Sequence, residues 1–317
     1  MKPAVKTALL LAVLTGAFCV WHWSPSRQPR TGASATSAPA TRRVHRPAPA
    51  ILPPRTIPLR LAAGPGVVPP SIQPAVEAGS YEQRVARVHA LPANLTDQEV
   101  QALCSYLLFP SPATSRNRQE ENWLRNEMMD KLTAQAALPA DVAQVLVAIY
   151  QDPAQDIVMR DYSVQHLNPA YVQAGPEQRT ILQQALWSAV TETDSSIAGT
   201  ALLALQNLAQ DYKEIDPDTL GEAALNLAGD GRCGELSRLT AVQVCGRLGL
   251  KQAAPLLLQL AQNAPTVPLQ IASIAALGDV GDEAARAYLQ QLAGQADPRL
   301  GPALETALRK MNQRPGT

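Results

Sequence analysis

Ala241-Val242-Gln243-Val244-Cys245-Gly246-Arg247-Leu248-Gly249, followed by Ala253, Leu257 and Gln259-Leu260-Ala261, returns 32 residues later as Ser273-Ile274-Ala275-Ala276-Leu277-Gly278-Asp279-Val280-Gly281, followed by Ala285, Leu289 and Gln291-Leu292-Ala293. Seven of the 21 aligned positions are identical, from Gly246/Gly278 and Gly249/Gly281 through Ala253/Ala285 to Ala261/Ala293. Each copy reads as a helix, a glycine-bounded turn and a second helix with leucines on one face. The glycines are expected to supply the left-handed backbone and the close approach that a tight interhelical turn requires. A helix pair of this length cannot bury its apolar face alone, so it must stack on its neighbours.

Working upstream, Thr96-Asp97-Gln98-Glu99 has capping-box spacing and is followed by Val100, Leu103, Leu107 and Leu108 on one face, which predicts a helix from about Thr96 to Phe109. Asp152-Pro153, Asp216-Pro217 and Asp297-Pro298 each set an N-cap residue beside a proline suited to the first helical position. Asp216-Pro217-Asp218-Thr219-Leu220-Gly221 is a capped helix start and not a calcium loop, because Leu220 occupies a ligand position.

These stretches resemble short bacterial HEAT repeats, of the kind also found in bilin-lyase-like proteins, most strongly over residues 238–312. Ala241 to Gly249 with Ala253, Pro255 and Leu257 fits that pattern, and Ile274 to Asp282 fits it again. Val158 to Leu167 and Ile197 to Leu205 resemble the second helix of further units at a looser period near 38, with Asn168 and Gln206 in place of the usual glycine. Residues 80–137 match least and read as a divergent helical cap. The resemblance implies an all-α fold, a right-handed superhelical stack of HEAT-like helix pairs (an α-solenoid) preceded by a disordered linker. It also implies a concave surface that binds a protein or peptide.

The start of the chain has another character. Lys2 and Lys6 precede an uncharged run over residues 7–23, which reads as a signal peptide or an N-terminal membrane anchor and places the body outside the cytoplasm, in a periplasmic or other extracytoplasmic setting. Residues 24–76 hold twelve of the 27 prolines from Ser24 to Pro74 and read as a disordered Pro/Ala/Arg-rich linker. The helical repeat domain is expected over residues 77–312, with a disordered tail at 313–317.

The net charge of zero hides a division: residues 1–76 carry nine basic and no acidic side chains, leaving eighteen basic against 27 acidic in the remainder. Arg42, Arg43 and Arg46 in the basic arm are candidates for contact with an anionic lipid or other envelope polyanion. An acidic body without aromatics interleaved among those arginines argues against nucleic acid as partner. Cys19, Cys104, Cys233 and Cys245 suggest no disulfide framework, and if residues 234–248 form one helix, Cys233 and Cys245 lie beyond disulfide reach.

The four histidines stand at no metal-ligand spacing, and no phosphate loop, nucleophile elbow or His-Glu-x-x-His stretch occurs, so no metal, no cofactor and no catalytic residue is assigned. His166 is the histidine inside a repeat, and with Arg160, Asp161 and Tyr162 it marks a candidate partner-binding patch on the concave surface. The sequence therefore reads as an exported or membrane-anchored, non-enzymatic scaffold. A lyase-type enzyme using His166, Arg160 or Asp161 on a bound ligand is the alternative that the resemblance raises; an arm-mediated envelope tether is the one that charge raises.

Overall fold

The computed structural model describes residues 69–76, 79–110, 118–294 and 297–313. The signal or anchor segment, Arg42, Arg43 and Arg46, most of the linker and all but Gln313 of the tail lie outside the described residues. Within the compact unit that contains the described chain, the elements are α-helices with two short 3-10 turns, and no strand occurs among the described residues.

The order is α1 (Gln73–Val76), α2 (Tyr81–His89), α3 (Asp97–Leu108), α4 (Arg118–Thr133), α5 (Val142–Gln151), α6 (Ile157–Gln173) and α7 (Pro176–Ala189). It continues with α8 (Ile197–Leu208), α9 (Pro217–Gly229), α10 (Glu235–Arg247), α11 (Ala254–Asn263), α12 (Val267–Val280), α13 (Glu283–Ala293) and α14 (Gly301–Gln313). Ile72 and Ala75 are fully buried, so the packed core begins upstream of residue 77, the boundary read from the sequence.

Local chemistry sets the helix starts. The Thr96 hydroxyl accepts from Glu99 N at 3.3 Å while Glu99 Oε2 accepts from Thr96 N at 2.8 Å, the reciprocal pairing that its spacing predicts. Asp216 caps α9 by accepting from Thr219 N at 3.0 Å, with Pro217 in the first turn. Asp297 leads only into a 3-10 turn, Pro298–Leu300, before α14. Asp152 departs from the expectation. It ends α5, and its carboxylate accepts from Ala154 N at 2.9 Å and Gln155 Nε2 at 3.0 Å, so the chain turns there and α6 starts five residues later under the cap of Asp156.

The helices form two rows. Each even-numbered helix packs on the next even one, α2 on α4 through to α12 on α14, whereas among the odd helices α3 with α5 and α5 with α7 pack less extensively and the rest barely touch. Small residues permit this asymmetry. A Cβ at Gly199 would stand 2.8 Å from Ser237 Cα, one at Gly246 would stand 3.1 Å from Ala276 Cα, and one at Gly278 would stand 2.8 Å from Ala307 Cα. Unequal spacing bends a two-row stack toward its tighter row, so the even helices line the inner side. The segments with α6 and α8 that resemble a repeat helix join α10 and α12 in this row, and α2 and α4, from the least-matching region, continue it.

Gly246 and Gly278 therefore act inside α10 and α12, by close approach, and not in turns. Of the four repeat glycines, only Gly249 takes the left-handed backbone, at φ 64°. Gly281 is extended (φ −62°, ψ 151°) and is confined by space, since a Cβ there would lie 2.7 Å from Leu277 O. Asn168 and Gln206 likewise lie inside helices, α6 and α8, and not in turns.

A second recurring device ties four of the inner helices to the outer helix before them. The fourth residue of α2, α6, α10 and α12 reaches back to a carbonyl in the last turn of the preceding helix: Arg84 Nε to Ala75 O at 3.0 Å, Arg160 Nε to Tyr150 O at 2.7 Å, Arg238 Nε to Ala228 O at 2.8 Å and Gln270 Nε2 to Ala261 O at 2.8 Å. Last-turn carbonyls lack intrahelical partners, so each contact satisfies a group that burial leaves costly. Cys104, Cys233 and Cys245 are buried and unpaired in this packing. Burial pushes the Cys104 thiol up to about 12 and the Cys245 thiol up to about 11, which keeps both unreactive.

Candidate partner-binding face

Five of the six large apolar side chains left exposed among the described residues lie on the inner row: Trp123 on α4, Ile157, Val158 and Val172 on α6, and Leu236 on α10. The sixth, Phe109, follows α3. That bias toward one row marks the even helices as the candidate face.

At its N-terminal end the inner row changes chemistry. Tyr81 on α2 and Trp123 on α4 pack with ring centroids 6.0 Å apart, tilted by 52°. Glu120, Trp123, Glu127 and Asp130 share one stripe of α4 at intervals of three, four and three residues. Burial, followed by the charges of Glu127, Glu120 and Glu82 and the neighbouring Tyr162 phenol, raises the Tyr81 phenol, which places all four groups within electrostatic reach of its ring. The His89 Nε2 and Glu127 Oε2 atoms lie 2.7 Å apart, linking the end of α2 to the middle of α4. Arg87, two residues before His89, is about 200° away around α2 and so lies on its other flank.

The four residues singled out in the sequence do not act as one patch. Arg160 is largely structural: besides Tyr150 O, its Nη2 donates to Glu192 Oε1 and Oε2 at 2.8 and 2.7 Å, and its guanidinium lies 5.7 Å from the Tyr150 ring centroid. Asp161 accepts from Ser196 Oγ at 2.6 Å through Oδ2, joining α6 to the start of α8, while its buried Oδ1 has no hydrogen-bond partner. Tyr162 is half-buried against the core, in the same stripe as Val158 and Gln165.

His166 turns away from solvent toward α4, only 5% exposed. Its Nε2 lies 3.1 Å from Asn126 Oδ1 and its Nδ1 is 3.8 Å from Asp130 Oδ1. With Asn126 presenting an oxygen, Nε2 carries the proton and Nδ1 keeps a lone pair, which is buried without a hydrogen-bond partner. Burial lowers His166 to about 4, so the ring is neutral near pH 7. Asp130 moves the other way, raised to about 6 by burial and then by the charge of Glu127, against a smaller lowering from His89. Its side chain stays 62% exposed beside the buried His166 ring. Among the described residues no group of three or more His, Cys, Asp or Glu is placed to hold a metal ion.

The aromatic and acidic residues were missed in the sequence, although a signal was present. Tyr81, Trp123 and Tyr162 recur at 42 and 39 residues, close to the looser repeat, which places one aromatic residue on each of three successive inner helices.

Comparison with known proteins agrees with the architecture. No curated protein matches the chain. Among solved structures, human deoxyhypusine hydroxylase in complex with glycerol is similar at 17% identity, over 77% of this chain and 95% of that chain, with a TM-score of 0.34. A likeness that slight carries nothing about activity. The family described as HEAT repeats matches residues 232–309, the segment holding α10 to α13 and most of α14. Residues 232–309 thus carry HEAT repeats, and the same two-row helix stacking continues upstream of them.

Proposed function

We propose that this protein is a non-enzymatic scaffold, exported from the cytoplasm and either released or held by its N-terminal segment, that binds a protein or peptide partner along its inner helix row. The observation that carries this reading is the concentration of exposed large apolar side chains on the even helices, from Trp123 to Leu236. Buried polar groups nearby are mostly committed to holding helices together, as with Arg160, Arg238 and Ser237. The export half of the proposal is supported by Lys2, Lys6 and the uncharged run over residues 7–23, which lie outside the described residues. Among the described residues no helix is long and apolar enough to cross a membrane.

The test is photo-crosslinking in the native host from positions 172 and 236 on the inner row and from the exposed Gln184 and Gln259 of α7 and α11. One protein captured repeatedly from the inner positions, and not from the outer ones, is the expected result. Equal capture from both rows, or none from either, refutes the reading.

A further inference from the structure

The N-terminal end of the inner row presents carboxylates, aromatic faces and one buried, unpaired acceptor together. Trp123, on α4, is 40% exposed and offers the aromatic face with the strongest attraction for a cation. Glu127 and Asp130 follow it at one and two turns, with side chains 31% and 62% exposed. His166 Nδ1 is the independent sign that something is received here. It is a lone pair on a ring only 5% exposed, unpaired, and set 3.8 Å from Asp130 Oδ1. That separation is too long for a hydrogen bond, and with Nε2 as donor to Asn126 both facing atoms are acceptors. Two acceptors converging beside an open carboxylate match a group rich in N–H donors and positive charge, and Asp130 lies on the exposed stripe where its side chain can swing to admit one. Asp130 is raised, by burial first and then by the charge of Glu127, against a smaller lowering from His89.

Resting on the scaffold reading above, we propose that Trp123, Tyr162, Glu127, Asp130 and His166 form a pocket for a lysine or arginine side chain, so that the partner presents an extended cationic segment to this end of the row. The ammonium or guanidinium is held by the two carboxylates and donates to His166 Nδ1, while its methylene stem lies along the aromatic rings. Val158 and Val172, 44% and 47% exposed on the same helix as Tyr162, are left for the segment's apolar residues.

The test uses the full-length protein and two labelled peptides of roughly ten residues, on the order of 33 Å when extended, one alternating Lys and Ala and the other Glu and Ala. Fluorescence anisotropy is expected to show binding of the lysine peptide alone, weakening as salt rises. The pair Glu127→Gln and Asp130→Asn should lower affinity by about tenfold or more, the scale of charge-assisted hydrogen bonds. Trp123→Leu should lower it about 2- to 5-fold. Both variants should keep the helical circular dichroism and unfolding temperature of the parent. Peptide addition should also shift the His166 Nδ1 resonance as its lone pair accepts a hydrogen bond, a response that altered folding would not give.

Equal binding of both peptides, or unchanged affinity in the Gln/Asn variant, overturns the cation pocket. If inner-row crosslinks still retrieve their partner in that variant at full yield, the scaffold stands and the pocket falls. If the inner-row crosslinks fail while the lysine peptide binds as described, the pocket stands and the larger partner face falls.

Discussion

Gly278→Ala isolates the contact on which the tight row depends. An ideal Cβ at Gly278 would lie 2.8 Å from Ala307 Cα and 3.1 Å from Ala307 Cβ. Carbon atoms in good contact sit about 3.5–4.0 Å apart, so α14 would have to retreat by roughly 1 Å. Both clashing elements are helix backbone, and no side-chain rotation relieves them. Overpacking of this kind costs about 1–3 kcal/mol, against which the better helix propensity of alanine returns up to about 1 kcal/mol. Gly301→Ala keeps the propensity gain without the clash, because nothing lies within 4 Å of its Cβ. The same chemical change is thus expected to destabilise at Gly278 and to be neutral or stabilising at Gly301, with Gly246→Ala between them, its contact being 3.1 Å. Urea unfolding of the full-length chain measures the order. Because a repeat array need not unfold in one step, amide exchange of α14 is the sharper readout and should quicken in Gly278→Ala. A Gly278→Ala protein as stable as Gly301→Ala would refute the claim that backbone proximity, and not merely apolar burial, binds the row.

Acidification tests His166 and Asp130 together. His166 is held near 4 in the fold against an ordinary value near 6.5, so the unfolded chain binds the extra proton and stability falls as pH drops from about 6.5 to 4, by up to roughly 3 kcal/mol. Asp130, raised to about 6, takes its proton first in the fold and opposes that loss over about pH 6 to 4. Asp130→Asn should therefore steepen the acid destabilisation and His166→Gln should flatten it, and urea midpoints across this range that stay parallel in all three proteins would refute both assignments. Arg238→Met removes the donor to Ala228 O and should cost about 1–2 kcal/mol, while Arg160→Met, which also strips Glu192 of its partner, should cost more in the same assay. In the buried network where Arg84 meets Glu121 at 3.3 Å and the Tyr106 hydroxyl donates to Glu121 at 2.8 Å, Glu121→Leu should cost about 3–5 kcal/mol by stranding Arg84. Adding Arg84→Met should recover part of that loss, and a double variant no more stable than the single one would contradict the pairing.

How much of this was legible in the sequence depends on how far each feature reaches along the chain. The start of α3 could be read from Thr96 to Glu99 because both halves of its capping box lie within four residues. The repeat at Gly246 and Gly278 was visible as identity, but its purpose was not. Glycine serves a left-handed turn and a close helix contact equally well, and only the position of Ala276 and Ala307 against them decides for contact. Asp152-Pro153 misled because an aspartate that caps a turn and one that caps a helix have the same local signature, and the distinction lies in Asp156 taking over the cap at Val158.

The candidate face was the least legible part, and the reason is geometric. Helices in one row are separated in the chain by a whole helix pair, so neighbours on the surface are about forty residues apart: Tyr81 with Trp123, His89 with Glu127, Asn126 with His166, Asp161 with Ser196. A search for residues that cooperate within a few positions gathers Arg160, Asp161, Tyr162 and His166. Consecutive residues on a helix point about 100° apart, and these four disperse toward Tyr150, Ser196, the exposed stripe and α4. In a stacked-repeat protein, then, the unit that carries binding is a column of single residues drawn from successive helices. Along the inner row Trp123 on α4 and Tyr162 on α6 are aromatic, whereas Leu203 on α8 and Leu239 on α10 are aliphatic, so the row changes character between its third and fourth helices.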